Sequence, residues 1–163
     1  MKLDLGCGAK CADGFVGVDC MPFPGVEVVV RDLGVYPWPW PDASIDEVRC
    51  SHMLEHLDQL GRMHFFRELW RVLKPGAVAM IQTPHWASGR ALGDPTHQWP
   101  PVSEESYSYL DRKWRSTEAP YLCSGVLDLG AVDFVDPQFN HLWMDPKSEC
   151  AYPPDDLVVV LTK

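Results

Sequence analysis

No apolar run in this chain approaches the roughly 20 residues that cross a bilayer. The N-terminus has neither the basic nor the apolar region of a secretory signal. These absences lead to the expectation of a cytoplasmic protein with no membrane partner. Basic residues are few: 14 Lys and Arg stand against 23 Asp and Glu, for a formal net charge of −9. A surface this acidic repels a phosphate backbone, which disfavours nucleic acid as a partner. Arg112, Lys113 and Arg115 form the one tight basic cluster. There is no C-x-x-C pair, so Cys7, Cys11, Cys20, Cys50, Cys123 and Cys150 suggest neither a zinc knuckle nor a disulfide framework and read as reduced thiols. Repeats and low-complexity tracts are also missing.

What is present is the material of one folded domain spanning residues 1–163, with 46% apolar and 23% charged residues. Short apolar runs bounded by turn residues read as strands at 2–5, 17–19, 26–31 and 45–50. The segments between the first three are too short and too rich in Gly and Pro for full crossover helices. Early helices are therefore expected to be reduced to loops. A clear helix follows, with Met63, Phe66, Leu69, Trp70 and Leu73 at helical spacing opposite Arg62, Arg67, Glu68 and Arg71, ended by Pro75-Gly76. "AVAMIQ" reads as the next strand, and 131–135 and 157–161 as two more. From 84 to 121 the periodicity fades and aromatics accumulate: Trp86, Trp99, Tyr107, Tyr109, Trp114 and Tyr121. Such a segment is either a satellite core or a substrate-side insertion or lid.

"LDLGCG" ends the first strand in a glycine turn, where Gly6 and Gly8 admit positive φ and close approach of a ligand. Alone it reads as a tight turn. Asp19 at the end of the next strand can accept from both hydroxyls of a ribose. Asp32, ending the third, can accept from an exocyclic amine, with the Leu33 amide free to donate. Together these three features describe a nucleoside pocket along the carboxyl ends of parallel strands.

At this point the chain resembles the class I S-adenosylmethionine-dependent methyltransferases. "LDLGCG", "GVD", "VVRDL", "YPWPWPDASIDEVRCSHMLEHL", "ELWRVLKPG" and "MIQTPH" are similar to that family's motifs, in order, across residues 1–85. "DPTHQWPPVSEESYSYL" resembles a subgroup with a D-P-T-H element after the fifth strand. The resemblance implies an α/β, Rossmann-like sheet, mostly parallel with its last strand antiparallel, and S-adenosylmethionine as cofactor. It places the methionine moiety over Asp4, Gly6, Cys7 and Gly8 near Ser51, the ribose on Asp19, and the adenine on Cys20, Asp32 and Leu33. The chain departs from the family in beginning at its first strand, so the helices that usually cover the cofactor are expected to be missing. A homo-oligomer, or the 84–121 segment, would then close the cavity.

"SHMLEHL" is a good helix start, with Ser51 as N-cap and Glu55 favoured by the helix dipole. On a helix His52, Glu55 and His56 share a face, and His97 could join them. Metal-dependent relatives, the small-RNA 3′-end 2′-O-methyltransferases and ubiquinone-pathway O-methyltransferases, carry a similar E-x-x-E-H with a downstream histidine. The resemblance therefore implies a divalent metal site at His52, Glu55, His56 and His97 as one alternative. The other takes His56, His85 and His97 as candidate proton acceptors. The expected activity is methyl transfer to O or N of a small or medium-sized acceptor, a small molecule or a nucleotide-like one. Its rivals are a non-catalytic S-adenosylmethionine-binding module and a metal-assisted RNA or nucleotide 2′-O-methyltransferase.

Overall fold

The computed structural model describes residues 1–23, 28–30, 32–120, 129, 131–142 and 154–163. Seven strands form one sheet: β1 (Lys2–Leu5), β2 (Val16–Asp19), β3 (Val28–Val30), β4 (Ile45–Ser51), β5 (Leu73–Pro84), β6 (Gln138–Leu142) and β7 (Asp156–Thr162). Their order is β3-β2-β1-β4-β5-β7-β6. All neighbours among the first five are parallel, whereas β7 runs antiparallel to both β5 and β6. The last strand is thus the antiparallel one, as expected. Among the described residues no helix precedes residue 54, and the fully described connection between β1 and β2 is a loop, as expected.

Period-2 burial sets the core face. Leu3, Val48, Ala79 and Leu161 lie in register across four strands, as do Leu5, Cys50, Ile81 and Val159, and all eight are fully buried. Helix α1 (Gln59–Val72) packs Phe65, Phe66, Leu69 and Val72 into that core. Asp58 caps it by accepting from the Gly61 amide. Glu68, read from the pattern as solvent-facing, is 1% exposed instead. It accepts from the Trp38 amide at 2.6 Å and pairs with Arg71, and so ties the tryptophan-rich linker between β3 and β4 to the helix. On the opposite face Asp4, Arg49, Met80 and Val160 align, and Met80 stays 39% exposed.

Two further expectations are corrected. Residues 131–135 are not a strand; Val132 and Phe134 are buried in an irregular stretch, and the sixth strand is β6, whose five residues are all exposed and show no alternation. Leu73, assigned to the helix pattern, opens β5. The segment after β5 stays irregular over more than half its length, but it also carries three short helices that the fading periodicity does not announce: α2 (Gly89–Gly93), α3 (Glu104–Ser108) and α4 (Arg112–Glu118). Its aromatics divide, with Tyr107 buried between Phe66 and Phe139 while Trp86 and Trp99 are exposed. Tyr121, Cys123, Cys150 and residues 26, 27 and 31 of the expected third strand lie outside the described residues. No helix among the described residues is long and apolar enough to cross a membrane.

Candidate functional site

The carboxyl ends of β1, β2, β3 and β4 meet at one edge of the sheet. After β1 the chain turns through Gly6 and Gly8 at φ +70° and +55°. The amides of Gly6 and Cys7 donate to the Val18 carbonyl, and Ala12 donates to Asp4, so the turn is held against β1 and β2. The two glycines answer different constraints. A Cβ on Gly6 would sit 2.5 Å from the Met53 side chain, whereas one on Gly8 would meet nothing within 4 Å. Gly6 therefore permits contact with the turn after β4, and Gly8 leaves open space above the loop. Asp19 accepts from Gly8 at 2.8 Å and from Met21 at 3.0 Å, one bond on each oxygen, which leaves further lone pairs on both. Asp32 accepts from Gly34, and the buried Leu33 offers an amide with no acceptor among the described residues. Cys20 is exposed beside them. Open space over Gly8, two strand-end carboxylates and a spare amide fit a nucleoside-bearing cofactor.

"SHMLEHL" does not start the helix. Ser51 is the last residue of β4, His52 takes a left-handed φ of 54°, and Leu54–His56 form a single 3-10 turn; the helix begins only after Asp58. The sharp reversal separates the residues expected on one face. Glu55, His56 and His97 converge, with one ligand-capable atom from each within 4.8 Å of the others, and the two imidazole rings stand edge to face at 4.9 Å. His52 is not in this group. Its Nδ1 lies 3.3 Å from Glu55 and its Nε2 3.3 Å from Asp156. Hydrogen bonds to Asp156 and then Glu55 push its pKa up to about 9 against the opposing effect of burial. Both ring nitrogens are engaged and protonated near neutrality, so His52 is placed as a cation and not as a ligand.

Hydrogen bonds fix the tautomers of the other pair. Thr96 donates its hydroxyl to Asp94 at 2.6 Å, so toward His56 its oxygen can only accept, and Nδ1 of His56 carries the proton. Nδ1 of His97 faces the Ala91 carbonyl at 3.2 Å and must also donate. With Nδ1 donating, a neutral ring carries no proton on Nε2; that of His97 stands 3.6 Å from an Asp94 carboxylate oxygen. Glu55 is 5% exposed, and its Oε2 is buried with no hydrogen-bond partner. These groups line a cleft of about 570 Å³ with His52, Pro84, Arg90, Gly93 and Pro95. An orphaned carboxylate oxygen and two imidazoles oriented from behind fit a divalent cation, because metal-bound histidines usually donate their other N–H to such partners.

His85 lies elsewhere. It is 2% exposed, its Nδ1 accepts from the Ala87 amide, and so its Nε2 bears the proton and faces Glu104 at 3.3 Å. His141 approaches the same Glu104 oxygen at 2.7 Å. Burial raises the Glu104 pKa, but the His141 bond and the nearby His85 outweigh it and hold the carboxyl below its ordinary value. With Nε2 protonated in the neutral ring, His85 is not poised as a proton acceptor. Glu104, His141 and Asp156 were not singled out from the sequence. Asp156 was within reach: it opens an antiparallel strand, and such a strand starts at the edge where its parallel neighbours end. It accepts from Gln82 and pairs with Arg90. Burial raises its pKa, and the His52 and Gln82 bonds bring it below the usual range.

Comparison with known proteins agrees with this geometry. A family model described as a methyltransferase domain matches residues 16–81. A protein of Mycolicibacterium smegmatis, named "Probable S-adenosylmethionine-dependent methyltransferase", is 36% identical over 63 residues, which are 39% of this chain and 23% of that protein. The match thus spans under a quarter of that relative's length. A S-adenosylmethionine-dependent methyltransferase from Archaeoglobus fulgidus superimposes with a TM-score of 0.68 at 20% identity, covering 99% of this chain and 85% of that one. The small RNA methyltransferase HEN1 does so with a TM-score of 0.62 at 13% identity, over 99% of this chain and 23% of that one. Residues 16–81 thus match a methyltransferase domain, and the fold of the chain is that of solved S-adenosylmethionine-dependent methyltransferases.

Proposed function

We propose that this chain is an S-adenosylmethionine-dependent methyltransferase that transfers the methyl group to an oxygen or nitrogen of a small or medium-sized acceptor bound in the cleft beside His56 and His97. S-adenosylmethionine supplies the electrophilic methyl. Gly6, Cys7 and Gly8 bed its methionine part with Asp4 and Ser51 behind them; Asp19 takes the ribose, and Cys20, Asp32 and Leu33 the adenine. The proximity of Gly6 to Met53, the residue after His52 of the cleft wall, supports placing the acceptor near the cofactor turn. One observation carries the reading: the Asp94–Thr96–His56 chain holds Nε2 of His56 free, within a cleft at the sheet edge. A neutral imidazole so oriented can take the acceptor's proton as transfer proceeds, while the cleft walls align the acceptor for in-line attack. The 84–121 segment, which contributes Asp94 and His97, forms the substrate-side wall.

A second reading is favoured by the orphaned Oε2 of Glu55. Glu55, His56 and His97 would hold a divalent cation, which when bound lowers the pKa of an acceptor hydroxyl. This reading carries the nucleotide or RNA 2′-O acceptor with it, and the net charge of −9 weighs against a long nucleic acid. Elemental analysis of untagged protein, with methyl transfer from labelled cofactor into fractionated cell extract with and without chelator, tests both readings. Chelator-resistant transfer leaves His56 as the base. Stoichiometric metal with chelator-sensitive transfer establishes the cation, and no transfer under either condition refutes the catalytic reading in favour of a binding module.

A further inference from the structure

We infer that Arg62 is a positioning residue that latches the 94–100 segment onto the turn bearing Glu55 and His56. Its guanidinium donates only to backbone carbonyls, and those carbonyls belong to the two segments that form the site. Nε reaches Leu54 at 3.2 Å and Nη2 reaches Glu55 at 3.3 Å, both in the 3-10 turn. Nη2 also reaches Gln98 at 3.0 Å, and Nη1 reaches Pro100 at 2.6 Å, on the far side of His97. Among the described residues, the other hydrogen bonds joining residues 94–100 to that turn run from the Gln98 amide to the Glu55 carbonyl and from His56 Nδ1 to the Thr96 hydroxyl. Arg62 stands in the first turn of α1, an element anchored in the core, so the latch refers both segments to one packed scaffold. A planar fork can span the two segments at once, whereas a lysine ammonium is a single point and cannot.

The inference rests on Glu55, His56 and His97 being the reaction centre, and its test is independent of whether that centre works. Arg62→Lys and Arg62→Met are compared with wild type by ring-nitrogen NMR of the histidines, in metal-free protein without acceptor. S-adenosylhomocysteine calorimetry is the control for fold and cofactor site. The expected result is S-adenosylhomocysteine affinity within twofold of wild type in both variants. At least half of the His56 and His97 signal should move from the Nδ1-protonated form to the Nε2-protonated form that free histidine prefers. Unchanged tautomers in both variants would overturn the inference. So would a loss of cofactor affinity above tenfold in Arg62→Lys, which would make Arg62 a general packing residue. Absence of methyl transfer in wild type bears on the reaction centre and leaves the tautomer result standing.

Discussion

Replacing Asp19 with alanine tests the cofactor side of the reading most directly. The carboxylate holds the loop through Gly8 and Met21 and keeps lone pairs on both oxygens for a ribose. A hydrogen bond to a charged acceptor contributes about 1.5–3 kcal/mol, and the half-buried setting of Asp19 puts the ribose pair together at about 2–3 kcal/mol. The expected loss of S-adenosylhomocysteine affinity in Asp19→Ala is therefore roughly 30- to 150-fold. Asp19→Asn keeps one neutral acceptor of the same shape, so its loss should be nearer tenfold, at about 1.4 kcal/mol. The Gly8 amide also loses its partner in the alanine variant, which adds a stability loss of about 1 kcal/mol, visible as a lower Tm. Calorimetry on the three proteins separates the effects, since the stability loss does not require a change in binding. Affinity within twofold of wild type for Asp19→Ala would refute the placement of the ribose.

Both glycines stand at positive φ, so either alanine strains the turn. Gly6→Ala should destabilise the protein more because its new Cβ also meets Met53, while Gly8→Ala adds a Cβ in the open space over the loop and so weakens S-adenosylhomocysteine binding; thermal unfolding beside calorimetry reads both. His52 has a folded pKa of about 9 against its ordinary 6.5, so its contribution to stability is complete below about 6.5 and is lost as pH rises through 9. The fall in Tm over that window should be smaller in His52→Asn. Glu68→Ala leaves the Trp38 amide unpaired in the core and removes a partner of Arg71, and should cost about 2–4 kcal/mol in urea unfolding. Exposure of Met80, Trp86 and Trp99 supports a homo-oligomer, and light scattering that finds only the 18.4 kDa monomer would end that proposal.

Most of the sheet was legible because its strands carry their signal locally. Val18 in β2, alternation in β4, and apolar runs in β5 and β7 each bury a face that the pattern announces. Strand β6 carries no such signal: its five residues are all exposed, and it is ordered by pairing with β7. Nearby, Val132 and Phe134 are buried without being in a strand, so apolar residues marked the core correctly and the element wrongly. Glu68 misled for a related reason. Helical spacing places it among charged neighbours, but its burial depends on Trp38, thirty positions earlier, supplying an amide.

The misreading of "SHMLEHL" has a physical source that bears on function. Spacing of i, i+3 and i+4 brings side chains together only if the backbone is already helical at i. Here the chain leaves a central strand at Ser51 and must reverse before the helix can start, and His52 makes that reversal at positive φ. The reversal turns His52 toward Asp156, which arrives from the antiparallel strand, and leaves Glu55 and His56 to meet His97 from a later segment. A histidine pair that the sequence puts four residues apart is thereby divided into a fixed cation and a ring with a free Nε2. In the proposed reaction His52 would hold Asp156 in place, while Nε2 of His56 would take the acceptor's proton. That division needs Asp156, Thr96 and Asp94, three residues from two distant segments. No local window could contain it.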